Sequence, residues 1–187
     1  MSALLKVICP VVLAGGMLLS AIGYSKTENI NIRISADVYI PPCKINNDAL
    51  VTVSFGKISL RTVDGTQSAV SKTLDVSCDY YQGTPYIVVG GSAMTGVVDN
   101  NVLETTGDNA GRLGIALYQG AGVDSSAPLK IGTGGDKGAF GYPVIRGLSV
   151  TGGSGQFTFT AVPWKKSNAE LQAGQFNATA TMSISYL

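Results

Sequence analysis

The sequence predicts an all-β chain folded as an antiparallel sandwich or barrel. The end of the chain alternates strictly. Phe176, Ala178, Ala180, Met182, Ile184 and Tyr186 fall on one face, with Asn177, Thr179, Thr181, Ser183 and Ser185 on the other. This is the two-residue period of a strand with one buried face. Short apolar runs recur elsewhere between turn residues, among them 24 glycines, as expected of many strands joined by tight turns. No stretch carries a sustained amphipathic helical period. At most, single helical turns are expected near Asn100–Leu103 or Ser167–Leu171.

Taken in order, residues 1–25 read as an export signal: Lys6 in a short basic start, an apolar run from Val7 to Leu19, then Ser20, Ala21, Gly23 and Ser25. Cleavage after Gly23 or after Ser25 satisfies the small-residue rule. The apolar run is too short to span a bilayer. Export removes Cys9 and leaves Cys43 and Cys78 in an oxidising compartment, where an even pair forms a disulfide. Neither cysteine sits in a C-x-x-C and the chain has no histidine, so a metal or redox pair is disfavoured.

Residues 26 to about 40 alternate again, with Ile30, Ile32, Ile34, Ala36, Val38 and Ile40 on one side. Pro41-Pro42 stops any ladder there. Further strands are expected at Val51–Phe55, at Val70–Cys78 and in the compact run Tyr86-Ile87-Val88-Val89. The last four are Leu113–Tyr118, Leu129–Ile131, Tyr142–Ile145 and Gln156–Val162. Gly174 breaks the pattern before the final strand, as a turn residue does. The glycine-rich stretch Gly132–Gly155 matches no phosphate-binding motif and reads as turns between strands.

Charged residues are 13% and hydrophobic ones 45%, which excludes intrinsic disorder. A net charge of +1 without a basic run disfavours nucleic acid or an anionic membrane surface as partner. Without histidine the usual general base and nucleophile–base pairs are missing, and no enzyme activity is expected. The carboxylates Asp64, Asp75, Asp79, Asp99, Glu104, Asp108, Asp124, Asp136 and Glu170 are scattered. Two of them could in principle serve glycoside hydrolysis, and Asp99 with Asn100, Asn101 and Asp108 could meet calcium. Acidic residues in polar turns are more often turn formers, so no metal and no cofactor are expected. The sequon Asn177-Ala178-Thr179 reads as a chance match within a strand, and Trp164 as an aromatic covering a sandwich end.

These pieces together resemble the pilin subunits of the bacterial chaperone–usher pathway. The resemblance runs through Val38-Tyr39-Ile40-Pro41-Pro42-Cys43, Phe55-Gly56, Ser77-Cys78, Gly114-Ile115-Ala116-Leu117-Tyr118, Phe157-Thr158-Phe159-Thr160-Ala161 and the final strand. It includes the family's glycine fourteenth from the end, Gly174, and its penultimate tyrosine, Tyr186. Within the family the chain looks most like the minor tip adaptors of P pili, through Tyr39–Cys43 with Ile45-Asn46-Asn47, Asn101-Val102-Leu103 and Gly114–Gly120.

The resemblance implies an incomplete immunoglobulin-like sandwich lacking its final strand, completed by a strand donated from another molecule. Residues 1–25 would then be the signal, 26–37 the donor extension and 38–187 the pilin domain. Ile30, Ile32, Ile34, Ala36 and Val38 would enter the groove of the preceding subunit; the family usually has glycine where this chain has Ala36. Gly174, Phe176, Ala178, Ala180, Met182, Ile184, Tyr186 and Leu187 would border this chain's own groove and be recognised by a periplasmic pilus chaperone and an outer-membrane usher. Neighbouring pilins and the tip adhesin complete the implied partners, and the fimbrium at the cell surface is the implied location. A major fimbrial subunit and a single-domain adhesin binding a host receptor remain the alternatives to a tip adaptor.

Overall fold

The computed structural model describes residues 28–187; the expected export signal, its cleavage point and Cys9 lie outside the described residues. The chain separates into two compact units after Asp37. In the first, residues 28–37 carry no strand, and Ile30, Ile32 and Ile34 are 85%, 79% and 90% exposed. In the second, 38–40 likewise carry none. The strand expected from the alternation is thus absent over 28–40. Alternation supplies a buriable face, but a strand forms only when its N–H and C=O groups find a partner ladder.

Residues 38–187 fold as a β-sandwich. Its strands in chain order are β1 (Lys44–Ile45), β2 (Val70–Ser77), β3 (Pro85–Gly90), β4 (Val102–Glu104), β5 (Thr106–Gly107), β6 (Leu113–Gln119), β7 (Tyr142–Pro143), β8 (Leu148–Thr151), β9 (Ser154–Lys165), β10 (Phe176–Asn177) and β11 (Thr181–Tyr186). The larger sheet runs β1-β2-β9-β6-β4, with β8 also on β9. β9 is its spine. One edge holds β2, from Val70↔Ala161 to Ser77↔Ser154. The other edge is shared by β8 near its start and β6 near its end. The smaller sheet is β11-β3-β7, and β5 and β10 pair separately.

The alternating positions of the two sheets meet in one core. Leu74, Val76, Phe157 and Phe159 contribute from the larger sheet, and Ile87, Val89 and Ile184 from the smaller. Ala116 and Val162, the alternate residues of β6 and β9, face the other way into a second cluster with Met94 and Val102, against which Trp164 packs. β6 is therefore buried on both faces, which explains why it reads as a continuous apolar run. Cys43 and Cys78 form a disulfide with Cα atoms 4.2 Å apart, tying the residue before β1 to the residue after β2.

Several expected elements differ. β9 continues past Val162 through Pro163. Gly65 N–H donates to Pro163 O on the side where β2 has already ended, so the proline's missing donor disrupts no ladder. Leu129–Ile131 holds its place by hydrogen bonds to Leu117 and Asn100 and is not a strand. Of Tyr142–Ile145 only β7 is strand, and β8 lies within the stretch read as turns. Asn100–Leu103 leads into β4, and the short 3-10 turns fall instead at Asn46–Asp48, Leu60–Thr62 and Gly138–Phe140.

Val51–Phe55 is not a strand either. Its burial alternates as expected, with Val51, Val53 and Phe55 half-buried and Thr52 and Ser54 exposed, but it joins no ladder. The cause lies just upstream. Asn46, Asn47 and Asp48 have φ of 51°, 51° and 60°, a turn of left-handed backbone. Asn and Asp tolerate this region better than other side chains, and Asn46 Nδ2 donates to Ala49 O at 3.1 Å. The turn ends β1 after two residues and redirects the chain.

Candidate assembly groove

β11 is paired with β3 along one edge, from Thr181↔Gly90 to Tyr186↔Pro85. On its other edge, among the described residues, it meets one backbone partner: Cys43 N–H donates to Ile184 O at 2.7 Å. Lys44 and Ile45 then leave for β2, the left-handed turn follows, and residues 50–58 make no backbone–backbone hydrogen bond with the described residues. Val51, Val53 and Phe55 nevertheless pack on the main core, as do Phe176, Ala178 and Met182. At the far end Phe55 and Phe176 meet, ring centroids 6.3 Å apart. The two segments are thus joined at the Phe55–Phe176 end and share no backbone ladder among the described residues, leaving an apolar seam at the edge of the smaller sheet.

The structure divides the residues expected to line this strand. Ile184 is fully buried and Tyr186 is 7% exposed, both inside the main core. Burial pushes the Tyr186 phenol pKa up. Leu187 is half-buried and exchanges two backbone hydrogen bonds with Thr84, at 2.8 and 3.0 Å. Phe176, Ala178 and Met182 are half-buried along the seam, and Ala180 is exposed. The opposite wall, Val51, Val53 and Phe55, was legible as alternation but not as a groove wall. In the first unit Ala36 is exposed like the three isoleucines, and in the second Val38 is fully exposed.

The start of the final strand is held by the turn after β5. Gly107 has φ of 103° and its Cα faces the Gln175 carbonyl so closely that any Cβ would collide with it. A Cβ on Gly174 would collide with the Asp108 carboxylate. Asn109, 2% exposed, holds Gln172 by both its amide atoms. β5 then pairs with β10 through Phe176↔Gly107 and Asn177↔Thr106. Gly174 thus sits against the exposed Asp108 side chain, a contact its position in the sequence alone does not reveal.

Several of the scattered polar groups hold turns or bridge distant segments. Asp64 accepts from the N–H groups of Thr66 and Gln67, each at 2.8 Å. Those bonds hold its carboxyl well below the usual carboxylate range. Asp124 pairs with Arg146, and Asp136 accepts from Tyr86 Oη. Asn100 and Asn101 donate their amides to the carbonyls of Ile131 and Leu117. A cleft of about 360 Å³ beside Lys130 and Tyr142 is lined by one carboxylate, Asp99, where glycoside hydrolysis uses two. Among the described residues no group of three or more His, Cys, Asp or Glu is placed to hold a metal, and no helix is long and apolar enough to cross a membrane.

The family model for fimbrial proteins matches residues 30–187. The chain belongs to the fimbrial protein family. It is 42% identical over 170 residues to the minor fimbrial protein PrsF of Escherichia coli, covering 91% of this chain and 94% of that protein. The fimbrial adapter PapF of Escherichia coli matches with the same identity and coverage. Among solved structures, the P pilus adaptor subunit PapF aligns with 38% identity and a TM-score of 0.53, covering 81% of this chain and 100% of that one. The P pilus rod subunit PapA aligns with 24% identity and a TM-score of 0.50, covering 84% and 100%. That second likeness is one of fold: the fimbrial chain is an all-β pilin sandwich whose smaller sheet holds three strands among the described residues.

Proposed function

We propose that the chain is a minor structural subunit of a chaperone–usher fimbria, a tip adaptor joining the adhesin to the fibre by donor-strand exchange. The observation that carries this reading is the seam, where among the described residues 50–58 and the outer edge of 178–183 find no backbone partner, beside half-buried Val51, Val53, Phe176 and Met182. A strand from another molecule laid along β11 would satisfy that edge and bury alternate side chains. Ile30, Ile32, Ile34, Ala36 and Val38 give this chain such a strand to donate in turn to a preceding subunit. Burying four or five aliphatic side chains at roughly 1.5–3 kcal/mol each supplies on the order of 10 kcal/mol before ordering costs.

An exposed apolar sheet edge is an aggregation site. A periplasmic chaperone therefore covers the seam until an outer-membrane usher exchanges it for a neighbouring subunit, and the product stands in the fimbrium. The choice of adaptor over rod subunit is supported by the 42% identity to proteins named minor fimbrial protein and fimbrial adapter. The role is structural and uses no cofactor. Expression of the exported chain in a bacterial periplasm, with and without a pilus chaperone, tests it. Soluble monomer should appear only with the chaperone or an added donor peptide. A stable soluble monomer without either partner would mean that the sandwich needs no further strand.

A further inference from the structure

Asn109 is a polar side chain with 2% exposure, and its bonding is specific. Nδ2 donates to Gln172 O at 2.8 Å, and Oδ1 accepts from Gln172 N at 2.8 Å. The amide thus imitates a strand neighbour for one residue far along the chain. Asn109's own carbonyl accepts from Arg112 N at 3.0 Å and from Leu113 N at 2.9 Å, fixing it to the start of β6. A continuous link therefore runs from a central strand to Gln172. Two residues further on, Gly174 lies against Asp108, and Phe176 then meets Phe55. Without Asn109, the β10 end of the seam would be held mainly by the two-residue pairing with β5.

We infer that Asn109 is a positioning residue for strand uptake: it fixes where Phe176 stands opposite Phe55 and so keeps the open end of the seam shaped for an incoming strand. The inference rests on the groove reading above. Its physical content is preorganisation. If the wall is not already ordered, the incoming strand must order it, and the bound state is shorter-lived.

Asn101 provides the matched control. It is 5% exposed and donates Nδ2 to Leu117 O at 2.9 Å, but on the β4–β6 side, away from β10. Chaperone-purified wild type, Asn109→Ala, Asn109→Asp and Asn101→Ala are each loaded with a labelled peptide of residues 28–40, or with an alternating Val/Thr peptide. Peptide dissociation rate and melting temperature are then measured. Asn109→Ala should release peptide at least about tenfold faster than wild type. Asn101→Ala should lower the melting temperature comparably yet release peptide within about twofold of wild type. Asn109→Asp keeps the acceptor for Gln172 N but turns a carboxylate oxygen on Gln172 O. It should therefore release peptide faster at neutral pH than at mildly acidic pH, where protonation restores a donor. That difference, absent in wild type, carries the test if the alanine variant does not fold. Equal acceleration in the Asn109 and Asn101 variants, or none in either, overturns the positioning role. Wild type that takes up neither peptide overturns the groove reading instead.

Discussion

Phe55 and Phe176 stand with ring centroids 6.3 Å apart and planes inclined by 33°, although the segments that carry them share no backbone ladder. This side-chain contact closes one end of the seam, while at the other end the Cys43–Ile184 bridge holds β11 to the segment that leads into β1. The walls are therefore tied directly at the aromatic end, and the span beyond it is left to whatever fills it.

The aromatic contact should be measurable as a coupling. In the peptide-complemented protein, Phe55→Ala and Phe176→Ala should each destabilise by about 2 kcal/mol, below the usual core value because both rings are half-buried. A double-mutant cycle in urea should give a coupling of about 0.5–1.5 kcal/mol. Strict additivity would show that the rings are neighbours without being partners.

Seam and core residues should separate experimentally. Met182→Asp places a charge where an incoming strand would bury it and should abolish chaperone co-purification, whereas Met182→Leu, which keeps an apolar side chain of similar size, should retain it. Ile184→Ser acts on a fully buried side chain and should cost about 3–4 kcal/mol of stability. Retained chaperone capture by Met182→Asp would count against the seam as the binding edge.

Removing the disulfide should act in two ways. The bond joins residues 35 apart in sequence, and on the chain-entropy model its loss costs up to about 4 kcal/mol. Cys43 also holds Ile184 through its backbone. Cys43→Ser with Cys78→Ser should therefore lower both thermal stability and chaperone capture. A fall in stability with capture untouched, read at a temperature where the variant remains folded, would confine the bond to a purely stabilising role.

The pH profile should have two separable limbs. Hydrogen bonds from the Gln67 and Thr66 backbone hold the Asp64 carboxyl low in the folded state. Its contribution is present above the unfolded value near 3.9 and is lost as pH falls towards the folded one. Asp64→Asn should flatten the acid limb relative to wild type. Tyr186 is raised by burial, so the unfolded phenol ionises first and stability falls as pH rises above about 10. Tyr186→Phe should flatten that alkaline limb in chemical denaturation series. Superimposable profiles for variant and wild type would remove either residue from the account.

Much of the sandwich was legible because most of its strands carry their own pattern: β2, β3, β6 and β11 fall within or close to the expected stretches. β8 was missed among the surrounding glycines, although the Gly152-Gly153 pair between Leu148–Thr151 and Ser154 is a two-residue hairpin signal. Val51–Phe55 was over-read because alternation reports a face that packs, and Val51, Val53 and Phe55 do pack, but alternation does not report whether a ladder exists. Ile184 and Tyr186 shared one face with Phe176 and Met182, and period alone could not tell which half of that face the protein keeps for its own core. The Asn109–Gln172 clamp spans 63 positions and has no local signature.

The left-handed turn at Asn46–Asp48 has a consequence for how the molecule stays unfinished. In the register set by Lys44↔Ser77 and Ile45↔Val76, an extended chain would have run on along β2 and settled into the larger sheet. The turn denies it that course and leaves Val51, Val53 and Phe55 packed on the main core, with Phe55 against Phe176 but without a ladder to β11. A protein that could mend its own edge would have nothing to offer a neighbour. Here three polar residues in an uncommon backbone conformation keep the wound from healing, and on the function proposed above that is what leaves the edge free for a neighbour's strand.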